Sequence, residues 1–257
     1  MVQTASVSAR RNWRWLAYTA CASLLVLLYG VAFFGLTSLA LAWFQTRTGV
    51  AGPVTEVGYG VLVGIFLTLG LVSQLRHADQ HVAGLQQAFL VVPALLIGSA
   101  LARDAQNVEA ALIVLVGVGV LVALRPERGE LLRIATRPDP WLLGIVLVAA
   151  IPLIWYAVAM GAQAQDLIGP PHHVQRLSTM AAMAVAIVLV GLLTALRTQG
   201  WTLPAWCAGV ATIVFGLASF LYPTHPGAAG SAWGGVAMAG GALFIGVATW
   251  EGWRRHP

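Results

Sequence analysis

Long apolar runs, separated by short polar stretches, are the dominant pattern along the chain. A transmembrane helix needs about 20 mostly apolar residues, because about 30 Å of hydrocarbon is crossed at about 1.5 Å per residue. Eight segments meet that length, at 16–43, 54–75, 82–102, 107–124, 141–165, 177–196, 203–222 and 232–250. The predicted fold is all-α: a polytopic bundle of eight transmembrane helices, forming one domain over 16–253 behind a cytoplasmic N-terminal arm at 1–15. The first run is too long for the apolar region of a secretion signal and lacks a convincing cleavage site, so it reads as an uncleaved span.

Punctuation within the runs refines this picture. The second, fourth and sixth spans end in Gln74-Leu75-Arg76, Ala123-Leu124-Arg125 and Ala195-Leu196-Arg197, and the third and fifth carry Pro93 and Pro152 at their centres. This weak repeat fits four stacked hairpins, and the prolines are expected to break their helices locally. In the eighth span, Gly230 and Gly234 form a GxxxG pair followed by Ala237, Gly241 and Ala242, and Gly60 and Gly64 offer the same spacing in the second. Small residues let helix backbones approach closely. The eighth span is therefore expected to pack within the chain, or on a membrane-protein partner or second copy.

Composition agrees with a lipid setting. The 257 residues are 59% hydrophobic and only 9% charged, with a mean hydropathy of +0.82, too few polar residues to cover a soluble globular surface. A net charge of +5 could suit nucleic acid, but the basic residues sit at the ends of apolar runs rather than along a face, so the expected partner is the bilayer, with no nucleic acid. Cys21 and Cys207 lie inside apolar runs, which argues against a disulfide framework or a zinc knuckle.

All fourteen basic residues are arginine. Absence of lysine excludes Schiff-base chemistry on this chain, and with abundant Ala, Gly and Val it points to a GC-rich bacterial genome. An N-terminus in the cytoplasm places Arg10, Arg11, Arg14, Arg76, Arg125, Arg128, Arg133, Arg137, Arg197, Arg254 and Arg255 inside and only Arg47, Arg103 and Arg176 outside. By the positive-inside rule, both termini are expected to be cytoplasmic in a bacterial inner membrane. Trp13, Trp15, Trp141, Trp201, Trp250 and Trp253 then mark the inner interface, and Trp43 and Trp233 the outer.

That orientation gathers Glu56, Asp104, Glu109, Asp166, His172, His173 and His225 at the outer face. Ionisable groups near hydrocarbon are costly and tend to face a cavity or a partner. Only fifteen uncharged residues separate Glu109 from Arg125, about 24 Å at helical rise, so Glu109 is expected near the outer boundary. The four carboxylates are candidates for a substrate- or ion-binding vestibule. The histidines, with Asp166 or Glu109, are candidates for an open zinc site or a transient copper site, making a divalent metal a candidate cofactor.

Inside, His77 and His81 share a helical face if Arg76–His81 is helical. Together with the downstream Pro93-Ala94-Leu95-Leu96 they resemble the histidine-bearing span of the CtaG family of cytochrome oxidase assembly proteins. The resemblance is confined to that short stretch and implies a metal or haem-ligand pair there. No H-E-x-x-H, G-x-S-x-G, Walker or dinucleotide signature occurs. Three functions follow: a small-solute or ion binding or transport protein with an outward-facing polar site, an accessory membrane subunit, or a metal-dependent membrane enzyme or metallochaperone. The balance of polar groups leans away from an enzyme.

Overall fold

A computed structural model describes residues 2–44, 50, 52–76, 81–125, 138–167 and 171–254, with side chains from Trp13 onward. Among the described residues the chain is all-helical. Eight helices are long and apolar enough to cross a membrane: α1 (Trp13–Phe44), α2 (Pro53–Leu75), α3 (Val82–Ala102), α4 (Ala105–Leu124), α5 (Pro140–Gln165), α6 (Pro171–Ala195), α7 (Thr202–Leu221) and α8 (Ser231–Trp253). Helical backbone already begins at Val2, so the expected N-terminal arm continues into α1. α6 also begins early, at Pro171 rather than 177. Proline lacks an N–H and suits the first turn, so the helix takes in His172, His173 and Arg176.

Burial divides the helices into two sets of four. The share buried is 22%, 83%, 56% and 28% for α1 to α4, and 22%, 78%, 56% and 22% for α5 to α8. The order of burial thus recurs every four helices. α2 and α6 occupy the centre, α3 packs on α6 and α2 on α7 across the halves, and α1, α4, α5 and α8 lie at the perimeter.

Helix breaks fall where the sequence did not place them. α3 and α5 run unbroken through Pro93 and Pro152, since a membrane helix tolerates proline when its surroundings absorb the freed carbonyl. Instead α1 opens into a π turn at Leu28–Ala32 and then reverses locally at Phe34, whose φ of 57° is left-handed. Beside it, α2 is π-helical over Val61–Thr68.

These two irregular stretches touch through glycine. A Cβ on Gly64 would lie 2.7 Å from the Gly35 carbonyl oxygen, and one on Gly60 would lie 2.7 Å from the Leu39 nitrogen. Backbone carbonyls released by the breaks cannot turn to water in this setting. Side chains serve them: the Tyr59 hydroxyl donates to Phe33 O at 2.7 Å, the Thr68 hydroxyl to Val63 O at 2.7 Å, and the buried Gln87 amide of α3 to Phe66 O at 2.9 Å and Ile65 O at 3.2 Å.

α7 and α8 form the tightest hairpin. A Cβ on Gly216 would meet Gly234 O at 2.7 Å, and one on Gly209 would meet Gly241 O at 3.0 Å. Gly234 and Gly241 therefore serve packing within the chain, whereas Gly230 is the helix cap, with a φ of 84° and open space around it.

Candidate functional site

Polar groups collect at the two ends of the bundle. At one end, the N-termini of α2 and α6 meet. Gly52 is extended and Pro53 occupies the first turn of α2, placing Glu56 one turn in. Arg176 stands near the start of α6, and its Nη1 donates to Glu56 Oε1 at 2.5 Å, with side chains 27% and 13% exposed. The pair joins the two halves of the bundle. One turn further along α6, Met180 packs against Gly58, where a Cβ would lie 2.1 Å from its sulfur.

The loop between α7 and α8 covers this end. Gly227 is buried in a left-handed conformation (φ 86°), and a Cβ there would come within 3.5 Å of Thr55 on α2 and Met180 on α6. Its carbonyl accepts the Tyr156 hydroxyl of α5 at 2.5 Å. His225, in the same loop, is half-buried: Nδ1 lies 2.7 Å from Pro226 O, and Nε2 is turned toward Gly52. Nearby, the buried Asn107 of α4 donates to Ser178 Oγ at 2.7 Å and Thr179 Oγ1 at 3.3 Å on α6.

The seven residues expected at this end have separate fates. Glu56 enters the inter-half ion pair. Asp104 is buried and caps α4, accepting from the Gln106 N–H at 3.0 Å. Glu109 and Asp166 are exposed on α4 and at the end of α5. His172 is exposed and His173 half-exposed, their rings edge-to-face at 4.5 Å. Among the described residues no three His, Cys, Asp or Glu side chains gather as a metal would require. Helix geometry accounts for the dispersal, since residues two apart, such as Asn107 and Glu109, point about 200° apart around an axis of 3.6 residues per turn.

The opposite end carries two buried polar knots. In the first, Gln74 of α2 accepts from the Tyr18 hydroxyl of α1 at 2.8 Å and from Arg125 Nη1 at the end of α4 at 3.4 Å, and it donates to His81 O, which precedes α3, at 2.7 Å. Arg125 is only 1% exposed. In the second, Asp139 caps α5 by accepting from the Trp141 and Leu142 N–H groups at 3.0 Å each. Arg197, just past α6, donates to Asp139 and to Glu251 of α8 at 3.1 Å, and its guanidinium lies 5.0 Å from the Trp201 ring centre at the start of α7. Each knot ties the four helices of one half. The Ala83 N–H, donating to Gln199 O at 2.9 Å, links the halves at this end.

These knots were the residues sequence reasoning passed over. Asp139-Pro140 is a readable helix-start signal, but nothing in the spacing announces that Asp139, Arg197 and Glu251, from three helices, will meet. His77 lies outside the described residues, so the histidine pair suggested for this end is represented by His81 alone. Comparison with known protein families, curated proteins and solved structures returned no match.

Proposed function

We propose that this chain is a multi-pass protein of a bacterial cytoplasmic membrane, with both termini inside, that binds and moves a small polar solute or ion between its two four-helix halves. The observation that carries the reading is the repeated burial order of the halves, with the π-helical stretch of α2 at the interface between them. Parallel repeats whose interface holds non-α backbone are a recurrent design for solute passage, because the protein interior rather than lipid satisfies the opened backbone.

In this reading the Glu56 end faces outward and is closed. Glu56 and Arg176 link the halves at the mouth, and the Gly227 loop lies over them. The knots at the other end hold each half together internally, which suits halves that rock as units. Of the four carboxylates expected in a vestibule, Glu56 alone takes this role.

The test is thiol accessibility in a chain whose Cys21 and Cys207 are replaced by serine. Val63→Cys and the near-isosteric Thr68→Cys place thiols in the π segment. Reaction with a membrane-impermeant methanethiosulfonate from the outer face, faster when Glu56→Gln is added, is the expected result. No reaction from either face would overturn the proposal. Orientation is read by a periplasm-active reporter after Gly49 and after Pro223; cytoplasmic signals at both would reverse it.

A second reading, an accessory membrane subunit, draws on α8. Its outer face carries Gly235, Gly240 and Gly246 with no atom within 4 Å of an added Cβ, leaving room for a partner helix. Purification from native membranes as a lone monodisperse monomer counts against it.

A further inference from the structure

α7 and α8 make close backbone contact at two points one heptad apart. The contacts fall at Gly216 with Gly234 and at Gly209 with Gly241. Continuing the seven-residue step along each helix leads to Thr202 and Ala248, where the glycines run out. There the helices enclose a groove of about 630 Å³, lined by Trp201, Thr202, Ala205, Trp206, Ala248, Thr249, Gly252 and Trp253. It opens at the perimeter of the bundle, at the end that holds Arg197, with Trp206 and Trp253 largely exposed.

We propose that this groove seats one anionic phospholipid of the leaflet at the Arg197 end. The inference rests on the membrane setting of the chain and not on solute passage. Three arguments choose the occupant. First, the volume falls in the range that holds a ligand of several tens of atoms, about 300–1,000 Å³. Second, tryptophan rings flank an aliphatic floor of Ala205, Ala248 and Gly252, and such rings settle at the headgroup level, where one end of a ligand is apolar and the other wet.

Third, the exposed charged residue that directly follows the groove lining is basic. Arg254, one residue past the groove, is exposed, and its guanidinium lies 5.0 Å from the Trp250 ring centre. Asp139 and Glu251 face inward to Arg197, behind Trp201, and that trio is buried. An acyl chain thus meets the floor while the phosphate lies by Arg254. Thr249 donates its hydroxyl to Ile245 O at 2.8 Å, so it is not assigned to the phosphate.

Native mass spectrometry of the intact chain, with phosphatidylglycerol or phosphatidylcholine of identical acyl chains, tests the site. The wild type is expected to retain one phosphatidylglycerol with about fivefold preference, the worth of one arginine beside an anionic lipid. Gly252→Leu, which projects a side chain into the groove from a position with open space around it, is expected to lose the bound lipid. Arg254→Gln is expected to retain both lipids equally. Gly246→Leu, equally open but outside the groove, serves as the control for loss through misfolding and should behave as wild type. Equal retention of the two lipids by the wild type, or identical behaviour of the two leucine variants, would overturn the proposal.

Discussion

Arg197→Gln is the substitution whose cost the structure determines most sharply. Two carboxylates and one guanidinium meet in the second knot, and the side chains of Arg197, Asp139 and Glu251 are 10%, 2% and 11% exposed. Removing the arginine takes from both buried carboxylates the cation they share, at a cost of about 3–5 kcal/mol. Glu251→Gln keeps the Arg197–Asp139 pair. It loses a charge-assisted bond but relieves like-charge repulsion, for a net cost under about 1 kcal/mol.

Asp139→Asn falls between, because asparagine still caps α5 while Glu251 inherits the arginine. The order expected from unfolding of the whole chain in detergent, followed by tryptophan near-ultraviolet circular dichroism, is Arg197→Gln, then Asp139→Asn, then Glu251→Gln. The double variant Arg197→Gln/Glu251→Gln should be more stable than Arg197→Gln alone, since one uncompensated charge is removed. If Glu251→Gln costs as much as Arg197→Gln, or if the double variant is the weakest, the electrostatic account of the knot is wrong.

The same unfolding assay reads two other features. Gln87→Leu should cost about 1–3 kcal/mol by stranding the Ile65 and Phe66 carbonyls in the π segment; an unchanged midpoint would mean that α2 re-forms a regular helix without it. Gly216→Ala and Gly241→Ala press a methyl into backbone about 2.6 to 2.7 Å away and should each cost about 1–3 kcal/mol. Gly246→Ala, with open space around it, should be neutral or stabilising by up to about 1 kcal/mol; equal effects at the three glycines would refute the α7–α8 packing.

How much of this was legible beforehand differs by scale. The existence and limits of eight apolar helices followed from run length alone, because hydrocarbon thickness sets a minimum that composition either meets or misses. At α6 the apolar run begins at 177 but the helix begins at Pro171, because a helix start accepts proline and polar residues readily. Pro93 and Pro152 misled in the opposite direction. A proline marks where a hydrogen bond is missing, but whether the helix breaks there depends on what packs around it.

What the residues determined unaided, then, is the class of molecule: an all-α chain with eight apolar helices, arginines at their ends and sparse acids beyond them. Those are one-dimensional properties, fixed by local composition and by the rise of a helix. Only the tertiary structure decided which polar residues meet. Glu56 and Arg176 are 120 positions apart, and Asp139, Arg197 and Glu251 come from three separate helix ends. Their meeting depends on how each helix is rotated about its axis, and in near-uniformly apolar helices no strong sequence period sets that rotation. Glycine contacts such as Gly35 with Gly64 and Gly216 with Gly234 set it instead, through backbones close enough to exclude any other side chain.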